Sequence, residues 1–372
     1  MLNQIMPKNA NAIDSQDKPE NQPRKSFLKK HWISFAIITG ACLATGILVY
    51  LLLVKVTLPE ARQENIVTKK HEAKKFYSNL SHIEVDNEDK VNSAITAIMI
   101  ENSLDARPQS GLKSAEVVFE AIAEGGITRF MALYQANKPQ LIGPVRSVRK
   151  YYLDWAKPFN ASIGHVGGSD EALNIVRNGS YRDIDQFFNG NFYWRSTDRY
   201  APHNVYTSFE KLDALNLQKG YTTSPADVFA RAIPKLKKDH VAKINNLHFK
   251  ISGQSFNVDY TYDKDSNTYL RSLAGQPHLD REAGRISPNS VVAIMVDFGP
   301  LPGGGTLNKI TTIANDKAYI FQNGEVIEGT WKKPSLDQQI RFYDSNDKEI
   351  AINAGQVWIT AVPKSSGAVT WE

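Results

Sequence analysis

Cysteine is almost absent from this sequence of 372 residues, which contains only Cys42. This single cysteine lies in an apolar N-terminal segment. The rest of the chain therefore has no thiol for a disulfide, a metal site or a nucleophile. The Gly-x-Ser-x-Gly and His-Glu-x-x-His motifs are also missing, which excludes the hydrolases and metalloproteases that they mark. The net charge of +5 is modest and no soluble segment is densely basic, so nucleic acid is not an expected partner.

Charged residues are missing from 32–54 as well. At 1.5 Å per residue, a helix of this length crosses a bilayer, and the run is longer than the core of a signal peptide. The sequence therefore predicts a transmembrane helix at 32–54, after a disordered cytoplasmic tail at 1–31. Cys42 is interpreted as membrane-buried, because Thr39 stands where a lipidated cysteine requires leucine.

The charges that flank this helix indicate its orientation. Basic residues occur on both sides of the helix, so their numbers alone do not decide its orientation. Close to the helix, however, the N-terminal flank is richer in basic residues than the C-terminal flank. We therefore expect a single-pass cell-membrane protein with a cytoplasmic N-terminus and an extracytoplasmic C-terminal part.

The remainder of the chain changes along its length in composition and in the pattern of apolar residues. Residues 55–90 are polar and rich in lysine, as in a stalk. Residues 91–225 mix strand-like runs with helical patterns, which predicts an α/β (α+β) N-terminal ectodomain. A basic, helix-like segment at 226–245 is interpreted as a linker helix. Residues 246–372 alternate short strand patterns with turns, which predicts a mainly β C-terminal domain.

Candidate binding groups are concentrated between residues 127 and 170. In a predicted helix at 146–157, Arg146 and Arg149 share a face, and Arg129 precedes them. Arginine suits bidentate binding of phosphate or carboxylate, so anionic envelope polymers are expected ligands. The alternative is a solvated or internally paired charged surface.

The other half of this stretch supplies a histidine next to glycines. His165 ends a predicted strand, and Gly167 and Gly168 would let a ligand approach the backbone closely. Ser169 is the predicted N-cap of a helix that begins at Asp170. We therefore predict a ligand cleft between these residues and the Arg146 face.

Acid–base chemistry is the second possibility. A histidine beside a carboxylate can act as a general base or hold a metal ion, and the catalytic candidates are His165, Asp170, His203 and Glu124. Asn204 adjoins His203 as a binding candidate, and His278 and Asp280 would share a face of an extended segment. The spacing does not choose between these roles. No cofactor is evident, a divalent metal is unsupported by spacing, and for each histidine alone a structural role is favoured.

Aromatic residues crowd into one predicted loop, 187–206. Such side chains can stack on sugar rings or cover a cleft, but aromatics separated by glycine and asparagine often form a small core between domains. The core interpretation is slightly favoured.

Several of these motifs together resemble the YerB-like lipoprotein family, and they occur in the same order. They are Ala106–Leu112 (ARPQSGL), Glu124–Arg129 (EGGITR), Ile142–Ser147 (IGPVRS), His165–Ser169 (HVGGS), Pro202–Tyr206 (PHNVY), Pro277–Asp280 (PHLD) and Gly329–Trp331 (GTW). The resemblance covers residues 91–372. It implies an envelope-associated, two-part ectodomain of unknown function, associated with cell-wall synthesis proteins and without assigned catalytic residues. A membrane helix here replaces the lipidated cysteine of the family.

These observations predict a membrane-anchored protein that binds a cell-wall polymer or a wall-synthesis protein through the cleft near Arg146 and His165. One alternative is an envelope glycan hydrolase or transferase with a His/acid or metal site. The other is a structural spacer in an envelope complex.

Overall fold

The computed structural model describes residues 32–57, 74–236 and 240–372. The chain divides into two units, with the boundary between Glu72 and Ala73. In the first unit, helix α1 (Trp32–Thr57) includes a stretch, Ile37–Lys55, that is long and apolar enough to cross a membrane. The apolar helix is therefore formed as predicted, whereas the predicted tail at 1–31 lies outside the described residues.

The second unit is a mixed α and β structure. Its helices are α2 (Lys150–Ala156), α3 (Asp170–Asn178) and α4 (Phe209–Gln218). The strands of its N-terminal part are β1 (Phe76–Tyr77), β2 (Glu84–Val85), β3 (Thr96–Glu101), β4 (Val117–Glu124), β5 (Ile127–Tyr134), β6 (Ser162–Gly164), β7 (Arg182–Asp183), β8 (Trp194–Arg195), β9 (Val205–Tyr206) and β10 (Arg231–Ala232).

The C-terminal part is mainly β, as predicted. Its strands are β11 (Asn246–Lys250), β12 (Val258–Asp263), β13 (Thr268–Leu273), β14 (Gln276–Pro277), β15 (Leu279–Asp280), β16 (Gly284–Arg285), β17 (Ser290–Val296), β18 (Phe298–Pro300), β19 (Asn308–Ile310), β20 (Ala314–Gln322), β21 (Glu325–Lys333), β22 (Arg341–Tyr343), β23 (Ile352–Asn353), β24 (Val357–Pro363) and β25 (Ala368–Trp371).

One ten-stranded sheet runs through both parts of this unit, in the order β22-β21-β20-β17-β24-β4-β5-β3-β6-β7. Strand β24, near the C-terminus, lies between β17 and β4 and is parallel to both. The boundary predicted between 91–225 and 246–372 is therefore a boundary in sequence only. Residues from both parts share one sheet and its core.

Both faces of the large sheet are covered. Helices α2 and α3 cover one face, where Trp155 and Val176 belong to the same buried cluster as Phe119. The other face is covered by α4 and by a five-stranded sheet in the order β14-β13-β12-β11-β25. From this smaller sheet, Phe249 packs with Phe321 of the large sheet. Burial of apolar side chains on both faces explains why the central strands are almost continuously hydrophobic.

The predicted linker helix at 226–245 is wrong for the described residues 226–236 and 240–245. Arg231 instead lies in β10, which is parallel to β23. Its half-buried guanidinium donates hydrogen bonds to the carbonyl oxygens of Leu80, Asn353 and Gly355. Phe229 is buried against Phe159 and Phe342. These long-range contacts hold the segment extended in spite of its helical pattern.

The predicted stalk at 55–90 also requires correction. Its described C-terminal portion, from residue 74, belongs to the folded unit, where β1 and β2 form a hairpin. Leu80 is fully buried, and its backbone N–H donates to Gln135 Oε1 at 2.9 Å. The folded unit therefore begins earlier than the sequence predicted.

Of the two helices predicted around the candidate site, one is confirmed and one begins later than expected. Helix α3 follows Ser169, whose hydroxyl accepts a hydrogen bond from the N–H of Ala172. Helix α2 begins only at Lys150, so Arg146 and Arg149 do not share a helix face as predicted. Val145 and Val148 pair with Ile100 and Gly168, which keeps this segment extended.

Candidate functional site

The three arginines predicted to bind a ligand do come together, but around two glutamates. Arg129 Nη2 lies 3.1 Å from Glu101 Oε2 and 3.0 Å from Glu124 Oε1. Arg146 Nε donates to Glu101 Oε2 at 2.9 Å, and Arg149 pairs with Glu124. This five-residue charge cluster (Glu101, Glu124, Arg129, Arg146 and Arg149) corresponds to the internally paired alternative.

The charge cluster is mostly closed to solvent. Arg129 and Glu101 are buried, while the side chains of Arg146 and Glu124 are about one-quarter exposed. Burial alone would raise the pKa of Glu101, but the guanidinium groups of Arg129 and Arg146 lower it to about 2. The cluster therefore stabilises the ionised carboxylate in the folded protein. Ligand binding by Arg129, Arg146 and Arg149 stays a prediction, although all three are already paired.

His165 is buried and fully engaged by protein groups. Its Nδ1 lies 2.8 Å from the carbonyl oxygen of Gly167, and its Nε2 lies 3.1 Å from Asp183 Oδ1. Since both partners are acceptors, both ring nitrogens donate when the imidazole is protonated. His165 therefore supports the loops around it, and its ring is closed to a ligand in this structure.

The predicted cleft between Arg146 and His165 is closed by backbone pairing. The N–H of Val166 donates to the carbonyl of Arg146 at 3.1 Å, and that of Val148 donates to the carbonyl of Gly167 at 3.0 Å. The two segments are neighbours, as predicted, but they bind each other. Asp170 is exposed at the start of α3, and among the described residues no ion pair joins it to His165.

His278 and Asp280 have separate partners. His278 Nδ1 accepts a hydrogen bond from Arg271 Nε at 2.9 Å, and its Nε2 donates to Gln109 Oε1 at 3.0 Å. Burial and the charge of Arg271 lower the pKa of His278 well below its usual value, so the ring is neutral. Asp280 instead accepts hydrogen bonds from three backbone N–H groups, those of Lys113, Glu282 and Ala283. Both residues thus hold the fold together.

A buried ion pair beneath His278 has no signal in the local sequence. Arg271 Nη2 lies 2.9 Å from Glu120 Oε2, and both side chains are completely buried. The carboxylate also accepts from Trp358 Nε1 at 3.0 Å, and the guanidinium lies 4.2 Å from the Trp358 ring centroid. The pair joins the N-terminal and C-terminal parts of the unit, and its hydrogen bonds compensate for the loss of water.

A cavity of about 680 Å³ lies among three loops. One loop follows β3, another connects β8 and β9, and the third follows β15. This three-loop cavity is lined by Asp105, Arg107, Pro108, Asp198, Arg199, Tyr200, Ala201, Pro202, His203 and Arg281. Among the predicted site residues, His203 is in the lining, whereas Asn204 is buried and binds Arg195 at the base of its loop.

Three arginines and one histidine face two aspartates in the three-loop cavity. Arg199 donates to the carbonyl oxygens of Asp105 at 2.8 Å and Pro108 at 2.6 Å. Arg281 forms an ion pair with Asp198. His203 Nδ1 lies 3.2 Å from the hydroxyl oxygen of Ser103. The three arginines exceed the two aspartates by one charge, so this cavity suits an anion.

The arginines of the cavity were not predicted, although each lies in or beside a motif of the sequence. Arg107 lies in the ARPQSGL motif, and Arg199 lies just before Pro202–Tyr206. Arg281 follows the PHLD motif directly. Their convergence has no local signal, because the three are far apart in the chain. For a metal ion, clusters of three or more His, Cys, Asp or Glu side chains are absent from the described residues.

Comparison with known proteins gives consistent matches along this unit. Two domain models of a family of proteins of unknown function, DUF3048, match this chain. The N-terminal domain model matches residues 80–222, and the C-terminal domain model matches residues 247–359. "Putative lipoprotein YerB" of Bacillus subtilis (strain 168) is 31% identical over 281 residues, which is 73% of this chain and 82% of that protein. The crystal structure of the YerB protein from Bacillus subtilis superposes with a TM-score of 0.69 at 27% identity, covering 79% of this chain and 99% of the other.

Proposed function

This chain belongs to the DUF3048 family of unknown function, as its motifs predicted, and we propose that it binds an anionic cell-envelope ligand in the three-loop cavity. The observation that carries the proposal is that Arg107, Arg199 and Arg281 line one cavity, with Arg107 held by Asn102 and Ser255 and, among the described residues, only Arg281 of the three paired with a carboxylate. Its volume is in the range of cavities that hold small molecules or a short segment of a polymer.

The fixed geometry of Arg199 supports an anionic ligand. Two carbonyl oxygens hold its guanidinium, which has five N–H donors in total. Donors remain for a phosphate or carboxylate, and little side-chain entropy is lost when they bind. The charge cluster around Arg129 is a weaker candidate, because all three of its arginines are paired with glutamates and mostly buried, whereas in the described lining of the cavity only Arg281 is paired with a carboxylate.

The location follows from the apolar helix. We propose that α1 crosses the cell membrane once, with the N-terminus cytoplasmic and the folded unit on the outer side. The ligand is then an anionic cell-wall polymer or an acidic segment of a wall-synthesis protein. Alkaline carbonate extraction of cell membranes checks the anchor: the full chain is expected to stay in the membranes, whereas residues 73–372 are expected to be released.

Binding of two anionic probes to residues 73–372 tests the cavity. This segment is suitable for the assay because the solved YerB chain corresponds to 79% of this sequence and folds by itself. Poly(glycerol phosphate) and poly-L-glutamate represent phosphate and carboxylate polymers. Loss of a charge-assisted hydrogen bond by Arg199→Ala should weaken binding about 10- to 100-fold.

Arg341→Ala is the matched control, because it removes an arginine that pairs with Asp227 and Glu349 outside the cavity lining. Its affinity should equal that of the wild type. Equal affinities of the Arg199→Ala and Arg341→Ala variants, or no wild-type binding to either polymer, contradict the proposal. A further variant, Arg146→Ala/Arg149→Ala, tests in the same assay the arginines that the sequence predicts as ligand-binding.

A second candidate function rests on the contact between Ser103 and His203. A hydroxyl 3.2 Å from an imidazole nitrogen can transfer its proton to that nitrogen while the oxygen attacks an ester carbonyl. The imidazolium would then protonate the alcohol that leaves, and water or an acceptor hydroxyl would release the acyl group from the serine. This would make the protein an envelope hydrolase or transferase. Ser103→Ala should then abolish ester turnover but retain polymer binding. If neither binding nor turnover is found, the structural-spacer function is favoured.

A further inference from the structure

Two consecutive phenylalanines are displayed to solvent in the loop after β7. Phe187 is 67% exposed and Phe188 is 72% exposed. Most of the other aromatic side chains predicted in this loop region are covered, and Tyr193 and Tyr206 are buried. An exposed pair of large apolar side chains marks an interaction surface. We call residues 186–191 the phenylalanine tip.

The phenylalanine tip is held in place by a buried carboxylate. Asp185 Oδ1 accepts hydrogen bonds from the N–H groups of Gly167 and Phe187, both at 3.2 Å. Asp185 Oδ2 accepts from Arg177 Nη2 at 2.9 Å. The carbonyl of His165 also accepts from the N–H of Gln186 at 2.9 Å. The exposure of the two rings is therefore fixed by the fold.

The tip itself is uncharged, and two cationic side chains lie against it. Its own sequence, QFFNGN, has no charged residue. The guanidinium carbon of Arg177 lies 5.0 Å from the centroid of the Phe188 ring, and Lys211 Nζ donates to the carbonyl of Asn191 at 3.0 Å. The nearby acids Asp183 and Asp185 point inward to His165 and Arg177.

We propose that the phenylalanine tip inserts into the interface of a lipid bilayer with anionic headgroups. The two rings would enter the boundary of the acyl region while Arg177 and Lys211 meet the headgroups. A stable protein interface needs roughly 800 Å² from each partner, which two side chains do not provide. Insertion into a bilayer does not require a complementary protein surface. A small apolar surface such as the phenylalanine tip therefore suits a bilayer better than a protein partner.

The length of the chain before the folded unit also supports a membrane. Fifteen residues, 58–72, separate α1 from this unit, and they span at most about 50 Å when fully extended. An anchor with so short a connection would keep the folded unit at a high effective concentration near the bilayer. This argument rests on the anchor in the proposed function, but the binding test below does not require the anchor or the three-loop cavity.

Co-sedimentation of residues 73–372 with lipid vesicles tests the inference. Vesicles of phosphatidylcholine alone are compared with vesicles that also contain phosphatidylglycerol, and stronger binding to the second is expected. Phe187→Ser/Phe188→Ser should weaken that binding by about tenfold or more, since two apolar side chains are lost. Leu217→Ser is the matched control, because Leu217 is 70% exposed in α4.

A second measurement does not depend on the double variant. In Phe188→Trp, the tryptophan emission should shift to shorter wavelength when phosphatidylglycerol vesicles are added. No shift, no wild-type sedimentation, or equal sedimentation of the wild type and a folded double variant overturns the inference. Arg199→Ala should keep vesicle binding, which separates this surface from the three-loop cavity.

Discussion

Glu101→Gln gives the sharpest test of the charge cluster, because its effect should depend on pH. In the folded protein the pKa of Glu101 is lowered from 4.5 to about 2, chiefly by Arg129 and Arg146 against the effect of burial. This difference corresponds to about 3 kcal/mol of unfolding free energy at neutral pH. The contribution is complete above about pH 4.5 and disappears as the pH falls toward about 2.

The measurement is urea unfolding of residues 73–372 over this pH range. At neutral pH, Glu101→Gln should lower the free energy of unfolding by about 3 kcal/mol. Near pH 2 the difference should approach zero, since a protonated glutamate closely resembles glutamine in shape and charge. A difference that is constant with pH would refute the assigned role of the carboxylate, and so would one below about 1 kcal/mol at neutral pH.

A surface ion pair supplies the control for this experiment. Glu328 lies 3.3 Å from Lys317, and both side chains are about half exposed. Exposed pairs of this kind contribute at most about 1 kcal/mol. Glu328→Gln should therefore leave the unfolding free energy nearly unchanged at every pH, so that a general effect of acid is distinguished from the titration of Glu101.

Three further substitutions test other buried contacts. Arg271→Met leaves Glu120 without its partner in the core and should lower the unfolding free energy by about 3–5 kcal/mol in urea; a loss below about 1 kcal/mol contradicts the pairing. Gly167→Ala should lower the thermal midpoint of unfolding more than Gly125→Ala does. Both glycines have a positive φ, but only at Gly167 would the new Cβ lie 3.1 Å from the Phe187 ring. Equal midpoints would show that the Phe187 ring moves aside. Lys333→Met removes the ammonium group that donates to the carbonyl oxygens of Ser335, Leu336 and Gln338. Amide hydrogen exchange at 334–339 should therefore accelerate, while exchange elsewhere stays the same. If exchange at 334–339 does not change, the ammonium does not hold this loop.

Local signals were sufficient to predict some elements of the fold. Helix α3 has an N-cap serine, acids in its first turn and a glycine after its end, and all of these lie within a short stretch of sequence. The apolar run of α1 is similarly self-contained. The mainly β character of the C-terminal part follows from its turns and alternating patterns. In these cases the tertiary structure agrees with the local preference.

Other elements depend on partners that are distant in the chain. The pattern from 146 onward favours a helix, but pairing of Val145 with Ile100 keeps its first turn extended. Glu120 and Arg271 form their ion pair across 151 residues of sequence. The structural role favoured for each single histidine is consistent with the contacts of His165 and His278, but the partners were not predicted: the carboxylate at His165 is Asp183 on β7, not the nearby Asp170. The arginines of the three-loop cavity were not predicted to meet, because they too are distant from one another in the chain.

The position of β24 in the large sheet has a consequence for the order of protein synthesis. Residues 357–363 leave the ribosome after every other strand of this sheet, yet they fill the place between β17 and β4. Until they arrive, a growing chain must keep the edge of β4 unpaired, and unpaired edges invite association with other chains. Completion of the ten-stranded sheet therefore has to wait for β24. A chain that stops before β24 should be a substrate for chaperones and proteases, even though it contains all of the residues that line the three-loop cavity and form the phenylalanine tip.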